Sequence, residues 1–311
     1  MACIAIDLMG GDTPVESRLA AVVKFARKNP TTDVLVFISE SYEKPLQKQA
    51  LNLPNNWITE VCTSQVSMSE SPLAALRNKR DSSLSQTIKS LQDNRANAVL
   101  TAGNTGALVA FAKYWLKSIS PIERPALATV IPGHPKPTLF LDVGASLEYR
   151  AHDLLNLAEL GSQMAPRLIP GLSHPEIALL NVGTEHIKGH DTIQQADRLL
   201  QQSSLNYVGF CEGSALFSGH YDVICCDGFV GNITLKACEG LIKNLQLKSQ
   251  GKGWRRWLPK INKVNLNPAQ YNGALLLGLD GLVVKSHGHS DSQGFYHALE
   301  RTAGYIKSFA P

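Results

Sequence analysis

The sequence predicts an α/β fold built on a mostly parallel sheet with helices on both faces. Three observations predict it. Short β-branched runs alternate with longer helical patterns. The strand runs are apolar almost throughout, as strands buried on both faces must be. Polar, glycine-rich turns follow the strands, where open parallel sheets gather their ligands.

Taken in order, strands are expected at Cys3–Leu8, Asp33–Ile38, Ala98–Ala102, Leu127–Ile131, Thr138–Val143, Ile177–Val182, Tyr207–Phe210 and Asp222–Cys226. Helices are expected at Val15–Arg27, Ser83–Asn94, Thr105–Leu116, His152–Met164 and Thr192–Gln201. Five strands run into polar turns. These are Asp7-Leu-Met-Gly-Gly-Asp12, Gly103-Asn-Thr-Gly-Ala107, Asp142-Val-Gly-Ala-Ser146, Asn181-Val-Gly-Thr-Glu185 with Lys188-Gly189 beyond it, and Asp227-Gly-Phe-Val-Gly-Asn232. Their shared placement at strand ends suggests one common site.

The bulk composition narrows the function. With 44% hydrophobic and 18% charged residues in 311, the chain reads as an ordinary globular protein with a sizeable core. Its apolar runs fall short of the roughly 20 residues that a membrane span needs. The start has no basic and apolar leader, so it does not read as a signal peptide. Six cysteines without a C-x-x-C pair argue for reduced core thiols rather than disulfides or zinc. The formal net charge of +4 is local. Gly240–Leu279 holds no acid but carries Lys243, Lys248, Lys252, Arg255, Arg256, Lys260 and Lys263. Without those seven, 23 bases face 26 acids, which argues against broad nucleic-acid binding.

Glycine lets backbone approach an anion, and a following helix offers free N–H groups. Gly103-Asn-Thr-Gly106 and the turn from Asp227 both have that form. The P-loop, the dinucleotide fingerprint, H-E-x-x-H and the nucleophile elbow are all absent. Lys188 can neutralise phosphate or polarise a carbonyl from its loop. His186 and His190 flank it and read first as exposed loop histidines. His287 is framed by Ser286 and Gly288 at the end of an apolar strand. Cys225 and Cys226 lie in an apolar strand and read as inert core thiols.

Read in order, these stretches resemble the bacterial phosphate acyltransferases. The match runs through Ile6–Asp12, Ser82-Ser83, Ala102–Leu108, Ile122–Leu127, Leu141–Ala145, Leu179–Glu185 with Lys188-Gly189, Cys226–Lys236, and Tyr271–Ala274 through Lys285–Gly288. Ser146 departs from the asparagine typical of that family, and the basic segment after Lys236 is shorter. The resemblance implies a Rossmann-like α/β/α sandwich, related to phosphate acetyltransferases and to the isocitrate and isopropylmalate dehydrogenases. It implies one domain over 1–311 with a basic, Trp-containing insertion near 243–266, a homodimer, and neither organic cofactor nor metal.

The expected reaction moves a long-chain acyl group from acyl carrier protein to inorganic phosphate. Its product would pass to a membrane glycerol 3-phosphate acyltransferase. Lys188 and Asn232 are the expected catalytic residues. Asp7, Gly10, Gly11, Asp12, Gly103, Asn104, Thr105, Gly106, Asp142, Asn181, Asp227, Gly228 and His287 are expected to bind substrate and phosphate. A phosphate acetyl- or butyryltransferase using acyl-coenzyme A, and a non-catalytic membrane scaffold, are the alternatives. Trp254, Trp257, Leu258 and Ile261 share one helical face beside Arg255, Arg256, Lys260 and Lys263. That pattern predicts contact with an anionic membrane, and the resemblance implies a cytoplasmic protein peripherally attached to the inner membrane. Pro259 breaks the pattern, and packing of the tryptophan face on a partner subunit is the competing expectation.

Overall fold

A computed structural model describes residues 2–49, 52–119, 122–249 and 271–310. The segment 254–264, on which the membrane expectation rests, lies outside them. The chain forms two compact units, Met1–Leu127 with Asn272–Pro311, and Ala128–Tyr271.

In the first unit the strands are β1 (Ala2–Asp7), β2 (Thr32–Ser39), β3 (Trp57–Cys62), β4 (Ala98–Thr101), β10 (Ala274–Leu277) and β11 (Leu282–Lys285). They lie in the order β3-β2-β1-β4-β11-β10, all parallel except the β10–β11 hairpin. Order reverses between β1 and β4, so their carboxyl ends open a crevice of the kind that binds ligands in such sheets. Helix α1 (Val15–Lys28) buries Leu19, Val22 and Phe25 and leaves Arg27 and Lys28 in its last turn, where they suit the helix dipole. The other helices here are α2 (Glu40–Gln47), α3 (Pro72–Asn78), α4 (Ser83–Gln92), α5 (Thr105–Trp115) and α9 (Ser292–Phe309). Side chains of Ser71, Ser82, Asn104 and Asp291 cap α3, α4, α5 and α9.

The second unit orders β5 (Ala126–Ile131), β6 (Thr138–Leu141), β9 (Val223–Cys225), β7 (Ile177–Leu180) and β8 (Tyr207–Cys211) side by side in that sequence. Residues Ala128–Ile131 pair antiparallel with β6, and the remaining pairs are parallel. Its helices are α6 (Ala151–Leu168), α7 (Asp191–Gln201) and α8 (Gly228–Ser249). Gly161 lets α6 lie on β9: a Cβ there would stand 2.7 Å from Val223 Cγ1. Among the described residues no helix is long and apolar enough to cross a membrane.

The thirteen elements expected from sequence all form, with no end shifted by more than four residues. Strand β3 was not expected. Its side chains are largely exposed, with Ile58 and Val61 facing outward beside Thr59 and Glu60, so it lacks the continuous apolar signature of the other strands.

Two glycines of α8 should respond in opposite directions to alanine. At Gly231 a Cβ would meet the Asp142 carbonyl oxygen at 1.8 Å, and backbone cannot swing aside. Gly231→Ala should destabilise by about 1–3 kcal/mol. Gly240 has nothing within 4 Å, so Gly240→Ala should stabilise by about 0.4–1 kcal/mol. Urea denaturation of the two variants checks the pair. Equal effects would contradict the close packing of α8 on the Asp142 turn.

Candidate active site

In the first unit the site is built around Asp7, the last residue of β1, which is 1% exposed. A buried carboxylate must be supplied with donors. Asp7 receives Ser83 Oγ and Thr101 Oγ1, each at 2.8 Å, and the Met9 N–H at 3.2 Å. Gly10 and Gly103 make room for it: a Cβ on Gly10 would come within 2.5 Å of Asp7 Oδ2 and 2.6 Å of Gly103. Arg18, also buried, donates from Nε to the Leu8 carbonyl and from Nη1 to the Thr13 carbonyl and hydroxyl. It thereby wraps the turn 8–13 around a guanidinium. Gly11 has φ +121°, and Asp12 N–H donates to the Gly288 carbonyl at 2.8 Å.

Asn104 caps α5 through Oδ1 to Ala107 N–H, while its Nδ2 donates to the carbonyls of Met68 and Glu70 at 2.9 Å each. Thr105 and Gly106 open that helix. The buried Lys285 ties β11 to the glycine turn, donating to the Ala102 and Ser286 carbonyls. His287 is half-buried, and its backbone N–H donates to Asn272 Oδ1.

The second unit repeats the device at three adjacent strand ends. Asp142, fully buried after β6, accepts the N–H groups of Gly144, Ala145 and Ser146 at 2.9 Å each, and the Tyr149 hydroxyl at 3.1 Å. Gly228 approaches so closely that a Cβ would lie 2.7 Å from Asp142 Oδ2. Asp227, after β9, caps α8 by accepting the Val230 N–H at 2.9 Å. Asn181, after β7, donates Nδ2 to the Lys188 carbonyl and packs on Gly189, closing the loop 183–189.

Two side chains remain uncommitted. Lys188 is exposed, its aliphatic stem lying over Gly183, and its ammonium has no ion-pair partner among the described residues. Asn232, one turn into α8, rests its amide against Gly144 and leaves it exposed. The residues expected from sequence thus divide by role. Asp7, Asp142, Asn104, Asn181 and Asp227 spend their polar atoms holding turns and caps. Lys188 and Asn232 keep theirs available.

Comparison with known proteins gives the family. The family described as "Fatty acid synthesis protein" matches residues 2–309. A phosphate acyltransferase of Paraburkholderia phytofirmans is 41% identical over 98% of this chain and 86% of its own length. One from Legionella pneumophila is 39% identical over 98% and 93%, and one from Shewanella woodyi 43% identical over 95% and 90%. The chain belongs to the phosphate acyltransferase family. In fold it is similar to a phosphotransacetylase from Streptococcus pyogenes, with TM-score 0.65, 15% identity, and 98% and 94% of the two chains covered. A branched-chain phosphotransacylase from Enterococcus faecalis matches at TM-score 0.58 and 17% identity, over 98% and 99%.

One element of this phosphate acyltransferase was not legible from sequence. Asp197, buried on α7, accepts the Tyr207 hydroxyl at 2.7 Å, Gln201 Nε2 at 2.8 Å and His186 Nδ1 at 3.1 Å. Burial beside Asp197 pushes the Tyr207 hydroxyl well up, so it stays a donor. A carboxylate only accepts, which assigns the shared imidazole proton to Nδ1. Asp197 lies six residues past Asp191, about 9 Å along the helix, so His186 lies against the flank of α7 rather than over its N-terminus. It braces the Lys188 loop together with Gln194, which donates to the Ile187 and Gly189 carbonyls. The cysteines behave as core thiols: burial raises Cys211 to about 12 and pushes Cys225 and Cys226 upward as well.

Burial also pushes the Asp7 carboxyl up from 3.8, against the pull of Ser83, Thr101, Arg18 and Met9. A carboxyl raised in the fold contributes stability while protonated, and loses that contribution as pH rises through its folded-state value. Asp7→Asn does not titrate. The stability of the unmodified protein minus that of the variant should therefore fall as pH rises from about 4 toward neutrality. Urea denaturation at stepped pH measures this difference, and a flat or rising profile would refute the sign.

Proposed function

We propose that this protein transfers a long-chain acyl group from acyl carrier protein to inorganic phosphate, releasing an acyl phosphate for phospholipid synthesis. It is an acyltransferase, as the names of relatives matching nearly its whole length indicate. The observation that carries the residue assignment is the division of labour at the strand ends. Lys188 and Asn232 alone among the expected polar side chains of the second unit keep their functional groups free of the scaffold.

One oxygen of hydrogen phosphate attacks the thioester carbonyl. The C–O bond forms first to give a tetrahedral oxyanion, the C–S bond breaks as the carbonyl re-forms, and the phosphate's proton passes to the departing sulfur. Lys188 Nζ and Asn232 Nδ2 stabilise the oxyanion that develops between those events. A thiolate leaves with little assistance because its pKa is about 8.5. In the first unit the turns of Gly10, Gly11, Gly103, Thr105 and Gly106 offer backbone to an anionic substrate, with Asp12 and His287 in the same unit, and Asp7 and Asn104 brace them. In the second unit Gly228 offers backbone beside Lys188 and Asn232, and Asp142, Asn181 and Asp227 brace those turns. Binding and orientation then supply most of the acceleration, which suits a site without a triad. No nucleotide, organic cofactor or metal enters this scheme.

The fold likeness to phosphotransacetylases makes acetyl-coenzyme A the competing donor, and the assay separates the two. Purified protein, phosphate and long-chain acyl carrier protein should give acyl phosphate without ATP or NAD. Lys188→Ala and Asn232→Ala should each lower turnover by roughly a hundredfold or more with the fold intact. Faster use of acetyl-coenzyme A would replace the donor, and near-normal variants would remove the two assignments.

Peripheral attachment to an anionic membrane, with handover to a membrane acyltransferase, and a homodimeric state belong to the same reading. The basic tryptophan segment supports attachment. The unmodified protein should sediment with anionic vesicles at low salt, while Trp254→Ala/Trp257→Ala should stay in the supernatant as an active dimer. A variant that became monomeric would assign those tryptophans to the subunit interface instead.

A further inference from the structure

We infer that a cavity of about 630 Å³ in the second unit holds the fatty chain of the acyl donor. This assignment rests on the acyl-transfer reading and adds to it where the chain lies. The cavity is bounded by the loop after Asp142 and by the first turns of α7 and α8, with Tyr149, Leu154 and Ile193 as its buried floor and Leu147, Phe229 and Val230 at its rim.

An aliphatic chain offers nothing but surface, so its site must be apolar in depth and polar only where the carbonyl sits. The buried side chains that line this cavity are apolar. Leu154 and Ile193 are 1% and 5% exposed and carry no polar atom. Tyr149 turns its hydroxyl away into Asp142, leaving its ring for the wall. The polar lining comes from Asp227 and His190, which stand at the starts of α8 and α7, with Thr192 and Glu148 beside them. Asp227 lies five residues ahead of Asn232, so the α8 wall of the cavity belongs to the same stretch of chain as a residue assigned to the oxyanion.

The rim is also apolar where water would favour polar groups. Leu147 is 76% exposed and Phe229 57% exposed, a concentration that marks a binding surface rather than scattered solvent-facing residues. Size agrees as well. A methylene group is close in size to a water molecule, whose share of liquid volume is about 30 Å³, so the cavity accommodates on the order of twenty such groups. An acetyl group would leave it almost empty, whereas each further methylene buried strengthens binding about fourfold.

The test compares kcat/KM for hexadecanoyl and octanoyl carrier thioesters. Ile193→Trp fills the floor and should lower the long-to-short ratio at least tenfold. Phe229→Ser, at the exposed rim, leaves the core untouched and should lower it about fivefold, which keeps the test available if the tryptophan variant does not fold. An unmodified protein inactive on both thioesters overturns the acyl-transfer reading and this assignment together. An active protein whose folded variants keep the parental ratio overturns the cavity assignment alone. So does a change in sedimentation to a smaller species with the ratio preserved, which would give the cavity to a second copy of the chain.

Discussion

Two buried carboxylates organise both units. Asp7 ends β1 and Asp142 follows β6, and each is shielded almost completely from water. An ionised group in that position is tolerable only when donors saturate it. The chain supplies them from the turns themselves: hydroxyls of Ser83 and Thr101 for Asp7, and three successive backbone N–H groups and a tyrosine for Asp142. Satisfying the charge therefore fixes the turns. Each also requires glycine opposite, because Cβ atoms at Gly10 and Gly228 would fall 2.5 and 2.7 Å from a carboxylate oxygen. The glycine richness of these strand ends follows from the buried charge as much as from any ligand.

That coupling explains what was legible in the sequence. Strands such as Val34–Ile38 and Ala98–Leu100 are buried on both faces and announce themselves by unbroken apolar runs. Helices α4 and α5 were expected from their residue patterns, and the structure adds that Ser82 and Asn104 cap them. The glycine turns stand where expected, and Gly10 and Gly228 make room there for buried carboxylates. What sequence could not assign was which polar residue approaches which partner. Asp7 and Asp142 look like ligands in a string of letters, and become internal braces once their donors are known. Asn104 and Asn232 carry the same amide, yet one spends it on a cap and two carbonyls while the other stays exposed.

The His186–Asp197 contact was missed for a related reason. Eleven residues separate the two, a spacing that matches neither a helix face nor a strand pair, and the link forms only because a loop folds back along α7. Its third member, Tyr207, comes from the neighbouring strand β8. No periodicity encodes such a junction. The signal that was available, a histidine two residues from Lys188, does not by itself distinguish a brace from a base.

The resulting architecture suits a reaction that demands placement more than proton chemistry. A site that depends on a strong base would have to keep a titrating group poised and solvated. Here the buried titratable groups are locked. Asp7 is held up by burial, the strand thiols are pushed out of the reactive range, and Tyr149 and Tyr207 are held as donors. Among the expected polar side chains of the second unit, one ammonium and one carboxamide stay clear of the scaffold, both mounted on segments whose backbone is tied down by neighbours. Lys188 sits in a loop fixed by Asn181, Gln194 and His186, and Asn232 on a helix pressed against the Asp142 turn. Fixed dipoles and a single positive charge on a rigid frame can stabilise a transient oxyanion without reorganising as it forms. On the proposed assignment of Lys188 and Asn232, the rigidity imposed by the buried carboxylates is thus the property that would serve acyl transfer.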